Sequence, residues 1–93
     1  MPDLGPTGDD LVRALLTLRT EDEMACFLRD LCTVAELRAL AERWQAVQKL
    51  DEGLPYRTVA EETGMSTATV TRVAHWLNHG EGGYRVALDR RDG

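Results

Sequence analysis

Cysteine is scarce in this chain. Of 93 residues only Cys26 and Cys32 carry a thiol, and their spacing matches neither a CxxC nor a CxxH pair of the kind that holds a metal or cycles between redox states. Both stand among apolar residues in ACFLRDLC, so the expectation is two buried free thiols packing as small hydrophobes. No apolar run approaches the ~20 residues that cross a bilayer. The opening MPDLGPTGDD has neither the basic patch nor the apolar stretch of a secretory signal. These absences predict a cytoplasmic protein with no membrane partner. Recognisable enzyme chemistry is missing too. No Ser, Cys or Lys has a base at a known spacing, and the carboxylates are spread along the chain. His75 and His79 lie four apart, but no third ligand and no HExxH pattern accompany them. They are read as helix-end histidines facing the negative pole of the dipole. Catalytic residues, metal and cofactors are therefore all expected to be none.

What is present is a folded composition, 43% apolar and 29% charged, in a length that suits one domain near the lower limit for a single core. The net charge of −5 counts mildly against nucleic acid, because phosphate contacts supply most non-specific DNA affinity. Charge location outweighs the total. Acids cluster at Asp9, Asp10, Glu21, Asp22 and Glu23, and again at Asp51, Glu52, Glu61 and Glu62. From Gly64 to Gly80 there are none, while Arg72, His75 and His79 are present.

Helix signals recur and strand signals do not, so the fold class is all-α with about six helices. Thr7-Gly-Asp-Asp10 reads as a capping box opening a short helix with Leu11, Leu15 and Leu18 on one face, residues 1–8 being a flexible lead-in. Thr20-Glu-Asp-Glu23 opens a second, with Met24, Phe27, Leu28 and Leu31 facing inward and its acids at the positive end of the dipole. Thr33-Val-Ala-Glu36 opens a longer third helix that ends near Gly53. Leu37, Leu40, Ala41, Trp44 and Val47 recur along it at helical spacing, which makes Trp44 a core residue. Pro55 suits the first turn of a fourth helix reaching about Thr63. Ser66 caps a fifth, from Thr67 to Asn78 or His79, ended by Gly80. After Gly82-Gly83, YRVALDRR forms a short sixth with Tyr84, Val86 and Leu88 able to pack. The first two helices are more apolar than one partner helix covers, which predicts a homodimer sharing its core.

The spacing within residues 55–79 predicts a helix-turn-helix. Ala60 gives room for the second helix, Gly64 tolerates positive φ at the turn, and Val59, Val70 and Val73 seal the contact. Ser66, Thr67, Ala68, Thr69 and Thr71 then cover the start and outer face of the second helix. Threonine is a poor helix former, so this concentration needs a reason. Small side chains admit a backbone into a major groove, and their hydroxyls and methyls meet base edges and phosphates. Solvated threonines on an ordinary surface helix are the plain alternative.

At this point the sequence resembles the Trp repressor superfamily, in particular its short bacterial YerC/YecD branch. The residues that carry the likeness are DLCTVAELRALAERW, EETGMSTATVTRV and LNHGEGGYRVALDR, with coverage from about Leu11 onward. The resemblance implies an intertwined homodimer, a core built by the first three helices and the last, and a reading head made by the fourth and fifth. It implies a sequence-specific transcriptional repressor whose partner is double-stranded DNA. Arg57 matches an arginine that reaches DNA, and Thr67, Ala68 and Thr71 match base-facing positions. The full expected DNA-binding set is Arg57, Ser66, Thr67, Ala68, Thr69, Thr71 and Arg72.

Arg43, Thr69 and Arg72 match positions that line the tryptophan corepressor pocket. Here the sequence departs from the family pattern. Val73 replaces a glycine and Trp76 replaces a serine. Added volume in such a slot costs ~1–3 kcal/mol or more, so L-tryptophan is expected not to bind and Trp76 to occupy its place. Arg43 and Arg72 would then serve structural ion pairs. The competing function is a helix-turn-helix-shaped interaction module that no longer binds DNA, for which the acidic total speaks.

Overall fold

The structure, a computed structural model, describes residues 3–91. Its six helices are α1 (Gly5–Leu16), α2 (Glu21–Leu31), α3 (Val34–Asp51), α4 (Tyr56–Thr63), α5 (Thr67–His79) and α6 (Gly83–Arg91), and no strand occurs among the described residues. Two compact units divide the chain, one up to Arg38 and one from Ala39 onward. The first 38 positions thus hold α1, α2 and the start of α3.

Local chemistry explains most helix boundaries. Thr20 Oγ1 accepts the Glu23 amide at 3.1 Å, and Glu23 reaches back to accept the Arg19 amide at 2.7 Å. At α3 the exchange is reciprocal: Thr33 Oγ1 accepts from the Glu36 amide at 3.1 Å and the Glu36 carboxylate accepts from the Thr33 amide at 2.8 Å. Each pair satisfies amides that a helix start leaves unbonded. Helix α3 closes with Gly53 at φ +87. The Gly53 amide donates to Leu50 and the Leu54 amide to Lys49, at 3.0 and 3.3 Å, the paired bonds of a left-handed C-terminal cap.

The first helix departs from expectation. It begins at Gly5, not behind a cap at Thr7, so residues 5–8 are helical where a flexible lead-in was expected. Leu4 is its N-cap residue and makes no side-chain cap bond, and a proline sits in the first turn. Proline there loses no hydrogen bond, and its fixed φ already suits the helix. Met1 and Pro2, also part of that lead-in, lie outside the described residues. Pro55 falls one place earlier than expected, as the N-cap of α4.

The core lies in the second unit. Ala46, Val47, Val59, Ala60, Val70, Val73 and Leu88 are its buried apolar residues, with Trp44, Leu50, Leu54, Met65, Leu77 and Tyr84 packed against them. Trp44 is thus a core-facing residue as its register implied. Around this core, Arg85 bonds Asp51 at 2.8 Å and approaches Asp89 at 3.5 Å, and Lys49 pairs with Glu62 at 3.6 Å. Arg91 donates to Gln48 and stands over the Trp44 ring.

Between Asp3 and Arg38 no residue is buried. Leu16 is 78% exposed, Leu31 52% and Val34 56%, and Leu40 and Val86 also face outward. The faces read as buried on α1 and α2 are therefore only partly covered by their own chain, and Leu40, Ala41 and Val86 are exposed where a packed position was expected. Cys26 is exposed and Cys32 half-buried, both free, so neither is the buried thiol its neighbours suggested. For the thiols and the leucines of α1 and α2 the physical reason is shared: residues 3–38 bury no side chain for them to pack behind.

Candidate nucleic-acid interface

The helix pair α4–α5 is built from the turn outward. Gly64 ends α4 at φ +76 and ψ 6, its amide donating to Ala60 at 3.0 Å. A Cβ there would meet no atom, so the demand for glycine comes from the left-handed backbone itself. Thr63 Oγ1 donates to the Val59 carbonyl at 2.7 Å and accepts the Met65 amide at 3.3 Å, which satisfies a buried hydroxyl and holds the turn. Across the contact, Val59 and Val70 are fully buried and Ala60 and Val73 nearly so. The small residue and the valines thus meet as the spacing implied.

Ser66 caps α5 by accepting the Thr69 amide at 3.1 Å, and its hydroxyl also bonds the Thr69 hydroxyl at 2.9 Å. Thr71 Oγ1 donates to the Thr67 carbonyl at 2.9 Å. Ser66, Thr67, Ala68, Thr71 and Arg72 are exposed, Thr69 is half-buried and Arg57 is exposed on α4. Neither Arg57 nor Arg72 enters an ion pair or hydrogen bond among the described residues. Two free guanidiniums therefore accompany a hydroxyl- and methyl-bearing helix face. The second unit brings the expected residues onto one helix-turn-helix, with Glu61 and Glu62 exposed on α4 beside them.

The remaining predicted positions meet at a cavity of about 440 Å³ lined by Arg43, Thr69, Arg72, Val73, Trp76 and Tyr84. Val73 and Trp76 line this space and leave it open, where Trp76 was expected to fill it; the indole is 57% exposed. Among the described residues Arg43 makes no structural ion pair, and neither does Arg72, contrary to expectation. Among the described residues no carboxylate lines the cavity to pair with them. Tyr84 is the lining residue that sequence reasoning read only as packing. Its place at the start of α6, directly after Gly82-Gly83, and its ring 6.4 Å from Trp44 carry it there. A second cavity of about 350 Å³ shares Trp76 and Tyr84 and adds Glu81 and Gly83. The His75 and His79 rings lie 5.3 Å apart between centroids at a tilt of 44°, with His75 edge-on to Trp76 at 5.7 Å.

The sequence model of the family described as Trp repressor protein matches residues 7–92. The chain belongs to the Trp repressor family. A relative, "Uncharacterized protein YerC" of Bacillus subtilis (strain 168), is 43% identical over 86 residues, 92% of this chain and 83% of that protein. Among solved structures, a TrpR like protein from Eubacterium eligens ATCC 27750 superposes with a TM-score of 0.89 at 36% identity, covering 96% of this chain and 92% of that one. A crystal structure from Staphylococcus aureus superposes with a TM-score of 0.87 at 40% identity, covering 95% and 88%. The Trp repressor family model runs across both compact units, and the six-helix order is shared with TrpR-like structures. No helix among the described residues is long and apolar enough to cross a membrane.

Proposed function

We propose that this Trp repressor family member is a sequence-specific transcriptional regulator that binds double-stranded DNA as a homodimer, and that it acts as a repressor in the bacterial cytoplasm. The observation that carries the reading is the exposed tip of α5 together with the unpaired Arg57 and Arg72, in a segment free of acids from Gly64 to Gly80. Arg57, Ser66, Thr67, Ala68, Thr69, Thr71 and Arg72 form the interface. The two arginines meet phosphate or guanine, and the N-terminus of α5 favours a phosphate oxygen. Ser66 and Thr69 contribute chiefly by fixing that terminus, since their hydroxyls are already bonded to each other.

The homodimer is supported by the exposed apolar side chains of the first three helices, among them Leu11, Val12, Leu16, Leu31, Val34 and Leu40. Exposed apolar side chains in this number are what an association surface supplies.

Selection of bound duplexes from a random pool, followed by footprinting, tests the reading. Two protected half-sites about one helical turn apart are expected. Log affinity should fall linearly with log salt, by close to −0.9 for each neutralised phosphate. Absence of saturable binding to any duplex at low salt would instead identify an interaction module that keeps the shape alone.

A further inference from the structure

The hydroxyls on α5 are not equivalent, and their bonding limits what each can read. A threonine hydroxyl has one proton to donate. Thr71 has already given its proton to the Thr67 carbonyl at 2.9 Å. Ser66 and Thr69 share one hydrogen bond between their hydroxyls, and Ser66 Oγ also accepts the Thr69 amide. Only the Thr67 hydroxyl has no partner among the described residues. Thr71 therefore offers its surroundings a methyl group and an oxygen that can only accept. Ala68, three residues earlier and likewise exposed, presents a second methyl on the same helix face.

We infer that Ala68 and Thr71 form a methyl-reading pair that selects thymine in an A·T pair and rejects guanine; this rests on the DNA-binding reading above. The chemistry follows from the major-groove edges. Thymine presents a 5-methyl group, which an alanine or threonine methyl covers. Its partner adenine presents the N6 amino group, a donor that the remaining lone pair of Thr71 can receive. Guanine presents only acceptors, N7 and O6. A side chain with no proton to give leaves both of them dry and unpaired, which is penalised. Thr67, with its proton free, carries no such restriction.

The test uses the full chain and the duplex it selects from a random pool, with folding of each variant checked by circular dichroism. Replacing the thymines one at a time by deoxyuridine removes the 5-methyl and preserves base pairing. At the thymine contacted by this pair, the substitution should weaken binding roughly fourfold, the equivalent of one buried methyl. Thr71→Val keeps the methyl and loses the acceptor oxygen; it should bind more weakly by the lost adenine contact and still distinguish thymine from uracil there by about fourfold. Thr71→Ser keeps the hydroxyl and loses the methyl; it should bind more weakly and no longer distinguish thymine from uracil there. A guanine selected at that position, indifference to deoxyuridine throughout the site, or a Thr71→Val variant that no longer distinguishes thymine from uracil overturns the inference while leaving DNA binding intact. Failure to bind any duplex overturns both, and is told apart by the absence of a selected sequence.

Discussion

Glu36 shows how one exposed side chain links pH to a helix start. Its carboxylate accepts the Thr33 amide and its own amide donates to Thr33 Oγ1. The bond from the Thr33 amide first, and then the Thr33 hydroxyl beside the carboxylate, hold its pKa below the ordinary 4.5. A depressed carboxylate stabilises the fold fully above its unfolded value, and that contribution disappears as pH falls through the lower, folded value. Protection of the Thr33 amide against hydrogen exchange should therefore be steady above about pH 5 and decline below 4.5. Glu36→Gln, which still accepts but cannot ionise, should remove the pH dependence and leave α3 helical. Gly64 tests a different kind of constraint. At φ +76 an alanine is strained by ~1–2 kcal/mol, although a Cβ there meets no neighbour. Gly64→Ala should lower the denaturant midpoint accordingly, with Gly64→Asn losing less because asparagine tolerates left-handed backbone.

Helix α5 is closed at its far end by a steric requirement that periodicity does not convey. A Cβ on Gly80 would sit 2.3 Å from the Trp76 carbonyl oxygen and 3.1 Å from the indole. The backbone there is extended, with φ −86 and ψ −150, so the need is for room and not for handedness. Gly80→Ala should therefore loosen the last turn of α5 and move the Trp76 fluorescence, while leaving the α4–α5 turn intact. Sequence signals located this helix, its Ser66 cap and its buried valines because each rests on interactions within a few residues. Tyr84 escaped as a cavity residue because its place beside Trp44 depends on where α6 lies against α3. The open cavity escaped for a related reason. Side-chain volume at Val73 and Trp76 counts against a ligand only if both groups point into the space, and Trp76 remains more than half exposed. Leu40 and Ala41 illustrate the converse: helical spacing marks a shared face but supplies nothing to cover it.

At the scale of the molecule, the buried residues all fall between Ala46 and Leu88. The exposed apolar residues of the first unit, Leu16 and Leu31 among them, are what the proposed homodimer would cover. Leu16→Asp should shift the sedimenting species from the mass of two chains to that of one, and thermal midpoints should rise with protein concentration in the parent and not in the variant. Arg57→Ala acts on a separate part: it should weaken duplex binding by ~1–3 kcal/mol and relax base preference if it grips guanine, with sedimentation unchanged. Competition titrations on the selected duplex measure both effects.

A stretch of three dozen residues with no interior of its own changes what expression level means. For such a chain, copy number acts as a structural variable. For the proposed homodimer, α1 and α2 would have little to hold them below the concentration at which partners meet and would lie open to proteases, so a cell making too little of it would lose what it makes. Scarcity would then silence the proposed regulator more sharply than simple dilution from its DNA.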